Sequence, residues 1–265
     1  MPLTHLIVLA LIQGLTEFLP ISSSGHLVMA PHIFSWPDQG LIIDVAVHMG
    51  SLLAVIIYLW RDLWNIILPI INFRNPREKV DLNLIKMILI ASIPVMLMGL
   101  GVSLVIDSLT RSIEIIGWAT LIFGLLLGLS DKMGMTINKL EHISFLDAIL
   151  IGVSQALALI PGASRSGLTI TMARFLGYNR GAAARFSLLL SIPAILGASF
   201  LKGIEVVMSN NMVFSLDVLI ATVVSFLAAV VSISLMMAWL SRSGFMPFVF
   251  YRIILGAGLL TWVYL

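Results

Sequence analysis

The stretch Pro20-Ile21-Ser22-Ser23-Ser24-Gly25 interrupts an apolar region that runs over residues 4–33. A second apolar region, over residues 145–177, is interrupted by Pro161-Gly162-Ala163-Ser164-Arg165-Ser166-Gly167. Lipid cannot satisfy the backbone groups that a broken helix leaves free, so such a segment must be covered by protein or line a wet cavity. We predict that both regions are re-entrant helical hairpins, which enter and leave the membrane on the same side.

The composition is typical of a membrane protein. Of the 265 residues, 60% are hydrophobic and 11% are charged, whereas an ordinary soluble domain is about 25% charged. Cysteine is absent, which excludes disulfides and thiolate metal sites. The net charge of +2 is too small to indicate nucleic acid as a partner. The apolar start has no basic segment before it, so a cleavable signal peptide is not predicted.

Six further stretches are apolar enough to cross a bilayer, which takes about 20 mostly apolar residues. They are Val45–Trp60, Met87–Ile106, Ile115–Ser130, Phe186–Leu201, Val218–Ser241 and Ser243–Leu265, the last of which contains Arg252. The sequence therefore predicts an all-α polytopic membrane protein with six spanning helices and two re-entrant hairpins. A single membrane domain would cover residues 1–265.

The two halves of the chain resemble each other. At a constant offset of 142 residues, Gln13, Leu15, Ser22, Ser24 and Gly25 recur as Gln155, Leu157, Ser164, Ser166 and Gly167. Three predicted spans follow each hairpin, and three crossings place the second hairpin on the opposite side of the membrane. We predict an inverted repeat, approximately residues 1–133 and 143–265, whose opposed hairpins meet near the midplane, as in many transporters.

Basic residues orient this arrangement, because cytoplasmic loops carry an excess of Lys and Arg. With the loop 61–83 placed in the cytoplasm, the outside loops carry only Arg111 and Lys202. The inside loops carry Arg61, Arg74, Arg77, Lys79, Lys132, Lys139, Arg180, Arg185 and Arg242. Both termini are then predicted to lie outside.

The first hairpin contains polar groups that an apolar helix does not need. Glu17 lies one turn after Gln13 on the same helix face. A carboxylate inside a membrane is costly and usually functional, although a neutral structural carboxyl is the alternative. In Ser22-Ser23-Ser24-Gly25-His26, a helix start would offer backbone N–H groups to an anion, whereas capping alone explains one serine. His26 is a candidate general acid, nucleophile or metal ligand, or else a structural residue.

The second hairpin supplies a cation. Arg165 presents a planar fork that matches phosphate oxygens in pairs, and it would also pair with Glu17. Gly167 allows close backbone approach, and the donors nearby are Ser164, Ser166 and Thr169.

Three lesser candidates have weaker support. Gln155, the repeat partner of Gln13, is a candidate hydrogen-bond donor to phosphate. Asp44 and His48 lie four residues apart at the start of a span, where they would support the site or a cation. For all three residues, a structural role is favoured.

At these residues the chain resembles the undecaprenyl-diphosphatase family, also called the bacitracin-resistance family of membrane phosphatases. The first family signature is Glu or Gln, three residues and Glu, which matches Gln13-Gly14-Leu15-Thr16-Glu17 and continues to His26. The second is Pro-Gly-x-Ser-Arg-Ser-Gly, which matches Pro161–Gly167 with Thr169 after it. The resemblance covers nearly the whole chain.

The resemblance implies hydrolysis of the membrane lipid undecaprenyl diphosphate to undecaprenyl phosphate and inorganic phosphate. This reaction would recycle the carrier for peptidoglycan and other cell-wall polymer synthesis and confer bacitracin resistance. It also implies a divalent cation, Mg²⁺ or Ca²⁺. The location implied is the bacterial inner membrane, with the active site reached from the periplasmic side.

Site roles follow from the resemblance by position. Glu17, His26 and Arg165 would be catalytic, with Ser23 as a rival nucleophile to His26 or water. Phosphate would be held by Ser23, Ser164 and Thr169, with Ser22, Ser24, Gly25, Ser166, Gly167 and Gln155 as further candidates. Glu17 and Gln13 would hold the cation, although Gln13 replaces a Glu that many members have, which leaves one carboxylate fewer.

An alternative function is a lipid-phosphate flippase built on the same inverted repeat. Inverted repeats with broken helices are common in transporters, and fold alone does not decide function. A flippase would need the anion site but no acid–base pair beside it. The sequence leaves the oligomeric state open, a homodimer included.

Overall fold

The computed structural model describes residues 1–71, 79–102, 112–134, 137–208 and 216–265. In these ranges the chain is helical and contains no β-strand. The helices are α1 (Leu3–Thr16), α2 (Ser23–Phe34), α3 (Gly40–Tyr58), α4 (Trp60–Ile71), α5 (Lys79–Val102), α6 (Ile113–Met133), α7 (Phe145–Ala156), α8 (Arg165–Phe175), α9 (Arg180–Met208), α10 (Leu216–Leu240) and α11 (Met246–Tyr264). Short 3-10 turns cover Leu140–His142 and Leu157–Leu159.

Among the described residues, six helices are long and apolar enough to cross a membrane, namely α3, α5, α6, α9, α10 and α11. The predicted all-α class and the six spanning helices are therefore confirmed. The α9 helix begins at Arg180, six residues before the predicted apolar run, because Arg180 and Arg185 are both paired with carboxylates. The basic residues Arg74, Arg77 and Arg111, used for orientation, lie outside the described residues.

Each interrupted region forms a pair of short helices. Helices α1, α2, α7 and α8 contain 14, 12, 12 and 11 residues. At 1.5 Å per residue they are roughly 16–21 Å long, which is less than the ~30 Å hydrocarbon core. None of them crosses a bilayer alone. That each pair enters and leaves on one side, and that the two halves are inverted, stay predictions.

The helices after both interruptions begin in the same unusual way. Ser22 precedes α2 with φ +75°, and its Oγ accepts a hydrogen bond from the backbone N–H of Gly25. Ser164 precedes α8 with φ +72°, and its Oγ accepts from the N–H of Gly167. A positive φ is uncommon for any residue other than glycine. The same strained serine cap therefore starts the second helix of each pair.

Close packing holds the short helices among the spans. Helix α1 packs on α10, and α7 packs on α5, while α3 contacts both α9 and α10. A Cβ atom at Gly14 would lie 2.4 Å from the backbone oxygen of Ser225, and one at Gly152 would lie 2.5 Å from that of Ala91. Small residues allow such close approach of membrane helices. In the two interruptions, buried residues include Pro20, Ile21, Ser22, Gly162, Ala163 and Ser164.

The segment after α3 differs from the prediction. Residues 61–83 were expected to form a loop, but α4 occupies Trp60–Ile71. Trp60 and Trp64 are exposed, and Asp62 forms an ion pair with Arg185 of α9. Exposed tryptophans next to charged residues are typical of a helix in the membrane interface.

Candidate active site

The carboxylate of Glu17 lies at the centre of a polar cluster between the two interruptions. It is buried, with 9% of the residue exposed. Its Oε2 accepts hydrogen bonds from Ser23 Oγ at 2.6 Å and from Gln13 Nε2 at 2.9 Å. Its Oε1 lies 3.3 Å from the Nη2 atom of Arg165. An ionised carboxylate only accepts hydrogen bonds, and donors face both of its oxygens.

The local backbone explains how the donors reach Glu17. Glu17 directly follows α1 as its C-cap, Ser23 is the first residue of α2, and Arg165 is the first residue of α8. Ser23 and Arg165 are equivalent positions in the two halves, each following a strained serine cap. Both side chains donate to the same carboxylate. The Glu17 carboxylate, which belongs to the first half, therefore contacts the first residues of both α2 and α8. The free backbone N–H groups at such helix starts favour anions.

Arg165 is held in place by a neighbouring helix. Its Nη1 donates to the backbone oxygen of Ser187 in α9 at 3.2 Å, and its guanidinium lies 5.9 Å from the centre of the Phe18 ring. Thr169 contacts the backbone oxygen of Arg165 at 3.0 Å and Ser187 Oγ at 2.8 Å. Thr169 thus lies beside Arg165, as the sequence predicts, whereas Ser187 lies in an ordinary span and has no motif that would identify it.

A second buried arginine fastens the two turns together. Arg252 of α11 is 0% exposed. It donates to the backbone oxygens of Pro20 at 3.3 Å, Gly162 at 3.0 Å and Ala163 at 2.9 Å. In the described part of the chain only carbonyl oxygens accept from this guanidinium, including that of Thr120. The sequence signals Arg252 only as the one charge in the last predicted span.

Most of the predicted phosphate-binding hydroxyls already have structural partners. Ser22 and Ser164 cap α2 and α8. Ser166 is buried and donates to the backbone oxygen of Leu19 at 2.8 Å, which links the two interruptions. Ser24 is exposed, 3.4 Å from the hydroxyl of Ser22.

The two predicted glycines differ in how much space surrounds them. A Cβ atom at Gly167 would lie 2.8 Å from Nη1 of Arg252, so glycine allows Arg252 to approach the second turn. A Cβ atom at Gly25 would lie 3.3 Å from Cγ2 of Ile116, and 3.7 Å from the Cα of Gly162, which is an ordinary contact.

His26 lies beside this cluster and has other partners. Its Nδ1 lies 2.6 Å from the backbone oxygen of Ser22, and its Nε2 lies 2.5 Å from the hydroxyl of Tyr251. A carbonyl oxygen only accepts, so Nδ1 carries the proton and Nε2 of the neutral ring accepts from Tyr251. Among the described contacts, none joins His26 to Glu17 or Arg165. No motif in the sequence identifies Tyr251.

The imidazole that approaches Glu17 is that of His48. Its Nε2 lies 4.0 Å from Oε2 of Glu17, and its Nδ1 lies 2.7 Å from the backbone oxygen of Asp44. The carboxylate of Asp44 accepts from Gln39 at 2.8 Å and is thus engaged within its own segment.

The two repeat-related glutamines are fully buried. Gln13 donates to Glu17, but its Oε1 has no hydrogen-bond partner among the described residues. Neither amide atom of Gln155 has one in the same part of the chain. No described contact joins Gln155 to Glu17 or Arg165, so its predicted role in phosphate binding stays a prediction.

The residues present fit a cation that is only partly held by protein. In the described ranges, no three His, Asp or Glu side chains form a group that could hold a metal ion. Glu17 and the unpartnered Oε1 of Gln13 are the oxygens available at the cluster. Mg²⁺ usually takes one or two carboxylates, several waters and phosphate oxygens of the substrate, so these two side chains are compatible with it.

Comparisons with known proteins place nearly the whole chain in one family. A sequence model of the family described as bacitracin resistance protein BacA matches residues 6–258. An undecaprenyl-diphosphatase of Jannaschia sp. is 47% identical over 267 residues, which cover 100% of both chains. One of Roseobacter denitrificans is 46% identical over 268 residues, again 100% of both chains. Undecaprenyl-diphosphatase 1 of Rhodospirillum rubrum is 44% identical over 272 residues, covering 100% of this chain and 96% of that relative.

Neither the family match nor the identity is confined to the two motifs, because both extend across all six spans. With this coverage, the chain belongs to the bacitracin resistance protein BacA family.

Proposed function

We propose that the protein hydrolyses undecaprenyl diphosphate to undecaprenyl phosphate and inorganic phosphate. Family membership and full-length relatives named undecaprenyl-diphosphatase support this reaction. The single observation that carries it in the structure is the Glu17 carboxylate, which is held between Arg165 and Ser23 from two interrupted segments. The relatives do not favour the alternative of a flippase without hydrolysis.

The ion pair of Glu17 and Arg165 represents the site before substrate binds. A diphosphate offers more oxygens and more charge than one carboxylate, and guanidinium groups bind phosphate in a bidentate manner. Arg165 would therefore turn from Glu17 to the phosphate while keeping its bond to the backbone of Ser187. The helix starts at Ser23 and Arg165 would add N–H groups and the positive ends of two dipoles.

Ser23 is the candidate nucleophile that the geometry favours most. Its hydroxyl already donates to Glu17 over 2.6 Å, so Glu17 would take its proton as Oγ attacks the terminal phosphorus. The bond to the bridging oxygen breaks, and undecaprenyl phosphate leaves while Glu17 gives this proton to solvent. A water molecule would then attack phosphorus and give a proton to Glu17, which returns it to Oγ of Ser23 as inorganic phosphate leaves. His26 is less suited, because its Nε2 accepts from Tyr251. Phosphoryl transfer otherwise needs mainly positioning and charge neutralisation.

A divalent cation fits this scheme as a further source of charge neutralisation. Glu17 and Gln13 would contribute oxygens, and the diphosphate and water would contribute the others. When bound, the cation supplies positive charge to the phosphate oxygens. Mg²⁺ and Ca²⁺ are the cations we expect.

We also propose the location. The chain would lie in the bacterial inner membrane with its basic loops in the cytoplasm. The site would open to the periplasmic side, as the family resemblance implies. The polyprenyl tail would remain in lipid against the exposed apolar faces of the spans. The proposed reaction uses residues of a single chain and does not require a homodimer.

The decisive experiment measures phosphate release from undecaprenyl diphosphate by the purified full-length chain in detergent. We expect cation-dependent release that falls by at least about a hundredfold in Glu17→Gln and Ser23→Ala, since each variant removes a group that acts on the reacting atoms. Ser234→Ala is the matched control, because Ser234 is exposed and bonds only within its helix. Absence of release by the wild type would refute the function, and full release by Glu17→Gln would remove the carboxylate from the mechanism.

A further inference from the structure

One ring nitrogen of His48 faces the buried carboxylate of Glu17. Its Nε2 lies 4.0 Å from Oε2 of Glu17, which is too long for a hydrogen bond. Its Nδ1 lies 2.7 Å from the backbone oxygen of Asp44, which can only accept, so Nδ1 donates to Asp44. A histidine that binds a metal ion usually donates its other ring N–H to a backbone carbonyl or a carboxylate in this way.

The amide of Gln13 adds a third atom to this arrangement. It lies 2.9 Å from Oε2 of Glu17 through Nε2, while its buried Oε1 has no partner among the described residues. A half-turn of the amide would exchange these two atoms and bring a ligand oxygen next to Glu17. Two ligands with bonds of ~2.1 Å to one ion lie at most about 4.2 Å apart. The 4.0 Å between Nε2 of His48 and Oε2 of Glu17 is within that limit, so one ion can contact both atoms.

We propose that His48 is a ligand of the divalent cation, together with Glu17 and Gln13. This inference rests on the proposed function, because phosphate oxygens and water would complete the shell. His48 would add a nitrogen ligand to a site where Glu17 supplies a carboxylate and Gln13 only an uncharged amide oxygen.

An imidazole ligand changes which cations the site prefers. Ca²⁺ takes oxygen ligands almost exclusively, whereas imidazole suits first-row transition metals. The site should therefore favour Mn²⁺ over Ca²⁺ more strongly than a site with oxygen ligands alone. Replacing His48 with Gln, which offers an amide oxygen instead, should reduce that preference.

The test uses Mn²⁺ as the probe on the full-length protein in detergent, with and without inorganic phosphate. Pulsed electron paramagnetic resonance detects a nitrogen nucleus bonded to Mn²⁺, and protein made with ¹⁵N-imidazole histidine assigns that nitrogen to histidine. We expect the histidine signal in the wild type, its loss in His48→Gln, and a dissociation constant for Mn²⁺ at least about tenfold higher in that variant.

His32 provides the matched control. Its Nδ1 lies 3.0 Å from the backbone oxygen of Val28, the same local bond that His48 makes, but its ring is exposed and no carboxylate faces it among the described contacts. His32→Gln should keep the nitrogen signal and the Mn²⁺ affinity of the wild type.

Three results would overturn the inference. They are Mn²⁺ bound to the labelled wild type without histidine coupling, coupling that persists in His48→Gln, and the absence of any Mn²⁺ binding. The first result needs no variant, so it stands even where a substitution disturbs folding. A histidine signal without phosphate release under any cation would instead refute the proposed function and leave the ligand assignment intact.

Discussion

At the scale of single residues, the shape of the Arg165 side chain matters as much as its charge. One guanidinium nitrogen contacts Glu17 at 3.3 Å and another contacts the backbone oxygen of Ser187 at 3.2 Å. The ammonium of lysine is a point charge that cannot hold both partners in a fixed plane. Charge alone would keep the ion pair, whereas the fork also orients the group toward phosphate.

We expect Arg165→Lys to lower kcat/KM for phosphate release by about a hundredfold, the loss that follows removal of one positioned donor in a charged transition state. Thermal stability should change little, because a positive charge still faces Glu17. Steady-state kinetics and a thermal melt of the same preparation check both expectations. Activity near the wild-type level in the lysine variant would show that the fork is not required.

At the scale of helices, the serine caps combine a favourable hydrogen bond with an unfavourable backbone. Ser164 has φ +72° and accepts from Gly167 N–H at 3.1 Å. A non-glycine residue in such a conformation costs about 1–3 kcal/mol, whereas glycine adopts it freely. The strain is maintained because Arg252 holds the carbonyl oxygens of Gly162 and Ala163.

We predict that Ser164→Gly is more stable than Ser164→Ala by about 2–4 kcal/mol, because relief of about 1–3 kcal/mol of strain adds to the usual advantage of glycine over alanine at a helix start, about 1 kcal/mol. Ser112 caps α6 with an ordinary φ of −73° and accepts from Ile115 N–H. At Ser112, the glycine variant should be more stable than the alanine variant by only about 1 kcal/mol, the usual difference at a helix start. Thermal melts of the four variants in detergent measure the two gaps. Equal gaps would mean that the backbone at Ser164 is not strained.

At the scale of the whole molecule, the orientation of the two halves is the prediction with the widest consequences. The absence of cysteine from the chain makes single-cysteine labelling unambiguous. Thr4 and Pro37 are exposed at opposite ends of the α1–α2 pair, and Lys139 is exposed before α7.

In cells with an intact inner membrane, Thr4→Cys and Pro37→Cys should both react with a membrane-impermeant maleimide added from outside. A re-entrant pair of helices enters and leaves the membrane on the same side. Lys139→Cys should react only after the cells are opened, because it lies in a predicted cytoplasmic loop. Labelling of Thr4→Cys and Pro37→Cys from opposite sides would show that α1 and α2 together cross the membrane.

Prediction from the sequence succeeded where a property depends on local composition. Apolar length identified all six spanning helices, since burial in lipid requires it whatever the neighbours are. Prolines and serines marked the places where α1 and α7 end. Glu17 and Arg165 were expected to pair because two opposite charges in an apolar region each need a partner, and the structure has that pair at 3.3 Å.

Prediction was weaker where distant segments meet. His26 follows Glu17 in sequence, yet its ring contacts Tyr251 of α11, whereas His48 of α3 approaches Glu17. Arg252 and Ser187 lie within spans, and no local pattern shows that they face the turns. Helix rotation decides each of these contacts, and rotation depends on packing against neighbours.

The amino-acid sequence alone determined the fold class, the six helices that are long and apolar enough to span a membrane, and the two interruptions. Each depends on local apolar length and on whether the backbone can satisfy its own hydrogen bonds in lipid. The tertiary structure decided which side chains share the site. Close approach of α1 to α10 and of α7 to α5, together with the bonds of Arg252 to both turns, sets the angle at which each polar group points. Such angles arise from contacts between residues far apart in the chain, which composition and spacing do not contain.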